Sequence, residues 1–167
     1  FTAMDEDDVA TTGTLVRDLV ANGSITDADA GTAPESIAVT AVDNAHGTWQ
    51  YQVAGGTWTD FDFTSNSGKA LLLSASDSIR FIPNANWNGT VTNGISFKAW
   101  DQTVGSAGDY LTISGNVGQV GDAPTDTHTL SVDTQSVSIT VTPVNDSPTL
   151  SGDTTASVDE DGNLTFS

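Results

Sequence analysis

The sequence predicts an all-β domain, a sandwich or barrel of about seven or eight short strands. Two observations carry this. Apolar and polar residues alternate with period two in segment after segment, as half-buried strands require. The acidic residues are 19 Asp against 3 Glu, beside 25 Thr, 17 Ser and 16 Gly. Glu favours helices, whereas Asp, Ser and Gly favour turns and caps, so the composition describes strands joined by polar turns.

The elements follow in order. Residues 36–42 alternate as a strand, and residues 47–53 place Trp49, Tyr51 and Val53 on one face. Gly55 and Gly56 then make a hairpin turn toward Trp58. Residues 70–73 and 79–82 are short apolar strands around a Ser76-Asp77-Ser78 turn, and residues 95–100 and 136–141 alternate again. Asp60 and Asp62 alternate with Phe61 and Phe63 and read as a solvated strand face. Residues 15–20 alone have a helical flavour. Residues 110–128 are Gly- and Asp-rich with weak periodicity and read as a long insertion or loop.

Charge and composition exclude several function classes. The 22 acidic and 4 basic side chains leave a net charge of −18 on 167 residues. Such a surface repels phosphate, which excludes nucleic acid and, without a bridging cation, an anionic membrane. No apolar run approaches the roughly 18 residues of a membrane span. Cysteine is absent, so neither disulfides nor thiolate zinc can staple the fold. Short Asp carboxylates in turns are good ligands for a hard cation, and the composition as a whole points to an extracellular, calcium-dependent domain.

The ends of the chain resemble each other. Ala3-Met4-Asp5-Glu6-Asp7 near the start is matched by Ser157-Val158-Asp159-Glu160-Asp161 near the finish, and the same offset carries Thr11 onto Thr165. Between them, Val144-Asn145-Asp146-Ser147-Pro148 looks like a domain boundary. The expected organisation is one sandwich over residues 1–150, followed over 151–167 by a linker and the first strand of the next unit, or by an edge strand. The chain reads as a piece of a tandem array with a repeat of about 150 residues.

The acidic groups cluster at turns: residues 5–8, Asp27 with Asp29, Asp101 after the strand that ends at Trp100, and Asn145-Asp146 after the last long strand. Clustered like charges are unfavourable unless something neutralises them. Calcium takes about six to eight oxygens from carboxylates, amides and carbonyls. Each Asp also has a plainer reading, a turn residue that hydrogen-bonds its own backbone.

The Ala99-Trp100-Asp101-Gln102 phrase, a long strand, and then Val144-Asn145-Asp146-Ser147-Pro148 resemble a cadherin-like repeat. More narrowly they resemble the tandem repeats of large bacterial RTX-type surface adhesins, with Thr26-Asp27-Ala28-Asp29 similar to a family phrase. The resemblance implies a cadherin/immunoglobulin-like sandwich on the bacterial surface, monomeric, with neighbouring repeats as partners and calcium between them. It further implies a rigid spacer role in cell adhesion and biofilm formation. The resemblance assigns Glu6, Asp101, Asn145 and Asp146 to the junction with the following repeat, and Asp101 and Asp146 are expected at one pole. Asp27 and Asp29 are assigned to the junction with the preceding repeat. Asp5, Asp7, Asp159 and Asp161 are second choices. The unit is longer than a typical cadherin domain, and residues 110–128 have no counterpart.

No enzyme is expected. There are two histidines, His46 and His128, and no metalloprotease, serine-hydrolase or phosphate-loop signature. A carboxylate pair could serve a glycosidase, but these carboxylates sit in polar turns rather than in a site that would raise a pKa. The Gly- and Asp-rich nonapeptide of the calcium β-roll is absent too. Binding of a glycan, through Trp58 or Trp87, or of a peptide at residues 110–128, is the alternative function. Trp49, Tyr51 and Trp100 are expected in the core.

Overall fold

The alternation becomes two stacked sheets. The computed structural model describes residues 1–9, 11–20, 25, 35–118, 128–149 and 151. In chain order these form β1 (Met4–Asp5), β2 (Thr14–Leu15), α1 (Val16–Leu19), β3 (Ile37–Val42), β4 (Gly47–Gln52), β5 (Thr59–Asp60), β6 (Lys69–Leu73), β7 (Ser78–Pro83), β8 (Gly89–Ala99), β9 (Tyr110–Thr112) and β10 (Gln135–Thr142). One sheet has the order β1-β10-β8-β3-β6-β9 and the other β2-β7-β4-β5. The protein is thus a β-sandwich. Its described strands number ten rather than seven or eight, because three are two-residue pairings and β9 falls where a loop was expected.

Among the described strands, every pairing is antiparallel except that of β1, which runs parallel to β10 with Met4 opposite Val141 and Asp5 opposite Thr142. The helical flavour of residues 15–20 is realised as the four-residue α1, too short to stand without the sandwich beneath it.

The main core lies between the sheets. Trp49 is fully buried with Phe81, Ile37, Leu71, Ile79 and Ile95 around it. Its indole N–H donates to the Asp43 carbonyl at 3.1 Å, so the one polar atom of the side chain is satisfied. Gly94 lets β8 approach this ring, since a Cβ there would fall 2.7 Å from an indole carbon. Asn93, at φ 54°, forms the adjoining irregularity, where the β8–β10 register shifts.

A second, smaller core covers the outer face of the six-stranded sheet. Ala38, Ala70, Leu72, Trp100 and Leu130 are buried there, with Leu111, Ile113 and Val117 packed against them. Residues 110–118 are therefore not a free loop, which corrects the expectation for that part. They begin as an edge strand on β6 and continue as a cover. This explains the unbroken apolar run of β6, whose side chains point alternately into both cores. Residues 119–127 lie outside the described part.

A buried carboxylate holds the crossover between sheets. β6 and β7 belong to different sheets, and the turn joining them carries Asp77, 1% exposed. Its oxygens accept from the Ser74 amide at 2.7 Å, the Ser74 hydroxyl at 2.8 Å and the Ala54 amide at 2.9 Å. Its carbonyl accepts from the Val16 amide at 2.9 Å. One Asp thus ties together the β4–β5 connection, the crossover and α1. No helix among the described residues is long and apolar enough to cross a membrane.

Candidate metal centre at the pole where β10 ends

The parallel β1–β10 pairing builds this site. It sets the acidic phrase of residues 5–8 against the end of β10, beside Asn145 and Asp146. The Glu6 amide donates to the Thr142 carbonyl at 3.1 Å, which continues the pairing one residue beyond the strand. The Glu6 side chain then turns inward and is only 5% exposed. Its Oε1 accepts from the Val144 amide at 2.8 Å and its Oε2 from the Asn88 side-chain amide at 3.2 Å. The Thr142 hydroxyl donates to the Asp5 carboxylate. Asp8 closes the turn, its amide donating to the Asp5 carbonyl at 3.0 Å. Asp5, Asp7, Asp8, Asn145 and Asp146 are exposed.

Asn88 comes from the turn that precedes β8. Beside it Trp87 is half-buried, and His46 stacks on it at 4.5 Å and 7°. Sequence reasoning missed Asn88: nothing in its local phrase marks a residue that will clasp a glutamate 82 positions away.

Asp101 is elsewhere, contrary to expectation. Gly89 at the start of β8 lies opposite Val141 near the end of β10, and Phe97 lies opposite Gln135 at its beginning. The two strands end at opposite poles, and the 11 residues of β8 span about 33 Å. No single ion can bridge Asp101 and Asp146. At its own pole Asp101 closes a turn, with Oδ1 accepting from the Thr103 amide at 2.8 Å, the Thr103 hydroxyl at 2.7 Å and the Thr129 hydroxyl. This is the turn chemistry open to any Asp. β3 also begins there, where the Trp100 amide donates to the Ser36 carbonyl at 3.0 Å. Asp27, Asp29, Asp159 and Asp161 lie outside the described residues.

Of the assigned groups, Glu6 lies against the chain just before Asn145 and Asp146, through the Val144 amide. Each Glu6 oxygen takes one N–H and retains a further acceptor position. Among the described residues, no three carboxylates or histidines converge closely enough to hold an ion by themselves.

The aromatic groups offer less to a sugar. Trp49 and Trp100 are buried. Trp58 is half-buried, with the Arg80 guanidinium 4.2 Å over its ring. Asp60 and Asp62 are exposed and Phe61 between them is buried, but the strand ends at Asp60, so Asp62 is a turn residue rather than part of a strand face. The Ser65 amide hydrogen-bonds the Asp62 carboxylate and holds its pKa below the ordinary value.

Comparison of the chain with protein-family models, with curated proteins and with solved structures finds no match.

Proposed function

We propose that this chain is a calcium-stabilised extracellular repeat of a bacterial surface adhesin, a spacer that stiffens a stalk rather than a catalyst. The observation that carries this reading is the parallel docking of β1 on β10. It brings residues 5–8 and Asn145-Asp146, far apart in sequence, to the pole from which β10 leads on. Charge repulsion disfavours that arrangement unless a cation sits among the carboxylates. Glu6, Asn145 and Asp146, with Asp5 and Asp7 beside them, would supply the oxygens from this side, and an adjoining unit would complete the shell. Asp101, at the other pole, would serve the junction to which the resemblance assigns Asp27 and Asp29. A divalent ion there would neutralise facing carboxylates and lock adjoining units.

The test is thermal unfolding with calcium, with magnesium and with chelator, on this chain and on a two-unit chain. A ligand that binds the native state raises its stability by mass action. A calcium-selective rise in melting temperature, larger in the two-unit chain, is the expected result. Equal melting temperatures and equal protease nicking of residues 144–151 with calcium and with chelator, in the two-unit chain, would overturn the reading.

A further inference from the structure

Asn88 is followed by Gly89, and its amide is one of the two donors that fasten Glu6. Two other Asn-Gly pairs occur, Asn22-Gly23, which lies outside the described residues, and Asn93-Gly94. An Asn side chain before Gly is open to attack by its own backbone, because glycine has no Cβ to block the approach. The Gly89 nitrogen bonds to the Asn88 side-chain carbonyl carbon, the carbon–Nδ2 bond breaks, and ammonia leaves. Water then opens the resulting succinimide at either carbonyl, giving aspartate or isoaspartate. No oxidant, metal or cofactor is required.

The structure ranks the two described pairs. Asn93 lies within β8, its amide donating to the Ser138 hydroxyl at 3.2 Å and its Oδ1 accepting from the Ser136 hydroxyl at 2.8 Å. Gly94 is buried beneath Trp49, so the backbone rotation that ring closure needs is blocked there. Asn88 is exposed and lies one residue ahead of β8, and Gly89 has φ 145°. The Asn88 side-chain amide donates to the Glu6 carboxylate at 3.2 Å.

We propose that Asn88-Gly89 is a self-modification site, and that its deamidation opens the clasp holding β1 against β10. Conversion replaces an N–H donor with a carboxylate oxygen 3.2 Å from Glu6 Oε2. Glu6 is buried, so the repulsion between the two carboxylates is poorly screened. The Glu6 side chain is then driven off the Val144 amide, and the two-residue β1 loses the contact that anchors its far end. The inference does not depend on calcium binding at this pole.

The experiment is prolonged incubation of the folded protein in mildly alkaline buffer, followed by peptide mapping with mass spectrometry. The expected result is the mass gain of an amide-to-acid conversion at Asn88, with isoaspartate present, while Asn93 still carries its amide. Asn88→Asp should melt at lower temperature than the parent in chelator and be cut faster within residues 1–9. Asn88→Gln, which retains an amide donor and closes a ring far more slowly, should show no such mass gain. Conversion of Asn93 ahead of Asn88, or an Asn88→Asp protein that melts and is cut like the parent, would overturn the proposal.

Discussion

The Glu6 carboxylate accepts a hydrogen bond at 2.8 Å from the backbone amide of Val144, 138 residues further along the chain. The contact closes the sandwich, because it fastens the first strand to the end of the last. It also turns a charged side chain into a nearly buried one without leaving it unpaired, since Asn88 takes the other oxygen.

Removing that side chain should loosen the pole. Glu6→Ala leaves the Val144 amide and the Asn88 side chain without their acceptor, and is expected to cost about 1–3 kcal/mol. Urea unfolding in chelator checks this as a lower midpoint with an unchanged slope. An unchanged midpoint would show that β1 is held by its strand pairing alone.

Asp77 should matter at least as much, although it is far from the candidate centre. Asp77→Ala deprives two backbone amides and the Ser74 hydroxyl of a buried acceptor. About 3 kcal/mol of stability should be lost. Asp77→Asn keeps the shape and one acceptor oxygen and should recover part of it.

Gly94→Ala tests the packing of the main core. The new methyl group would lie 2.7 Å from the Trp49 ring. Because that ring is wholly buried and has no room to withdraw, overpacking should cost about 1–3 kcal/mol. Near-ultraviolet circular dichroism should change with it, since Trp49 packs between Phe1 and Phe81.

The two poles should separate in a calcium titration of the two-unit chain. Asp146→Ala in the first unit is expected to weaken the site at the intervening junction by about tenfold or more, as loss of one charged ligand does at close range. Asp101→Ala in the same unit should leave that junction unchanged. Equal weakening by both would contradict the antiparallel placement of β8 and β10.

Alkaline pH should destabilise the sandwich through its tyrosines. Burial raises the hydroxyls of Tyr51 and Tyr110 above the ordinary 10.0, and the Asp62 amide donated to Tyr110 offsets only part of this. Folding then favours the protonated phenols. Their contribution is fully present below pH 10.0 and is lost as the pH rises through the raised folded values. Urea midpoints measured from neutral pH to above 10.0 should fall, and fall less in Tyr51→Phe.

The strands legible in the sequence either alternate over one buried face or, like β6, carry an unbroken apolar run. In β4 and β8 the alternation of Trp49 with Gln50, or of Ile95, Phe97 and Ala99 with polar neighbours, is imposed by the pleat and needs no knowledge of partners. β9 was illegible because both Leu111 and Ile113 are partly covered by a second core, which removes the alternation. β1 and β5 are too short for any period to register.

Part of the candidate site was legible in the same way. Glu6, Asn145 and Asp146 stood out as acidic or amide groups at turns, and the structure does bring them to one pole. Asp101 stood out for the same reason and belongs to the other pole. Local pattern fixes that a strand ends at a given residue, but not in which direction that strand runs through the sandwich.

By itself, then, the sequence determined the class of fold, the crowd of carboxylates at its turns and the burial of Trp49 and Trp100. Those follow from side-chain period, turn chemistry and the apolar content of each strand. Only the tertiary structure decided which turns share a pole, that Asn88 would fasten Glu6, and that Asp77 would be buried as a tie between sheets. These depend on pairings across 23 to 138 positions of chain, and a contact between distant residues leaves no trace in the residues next to either one.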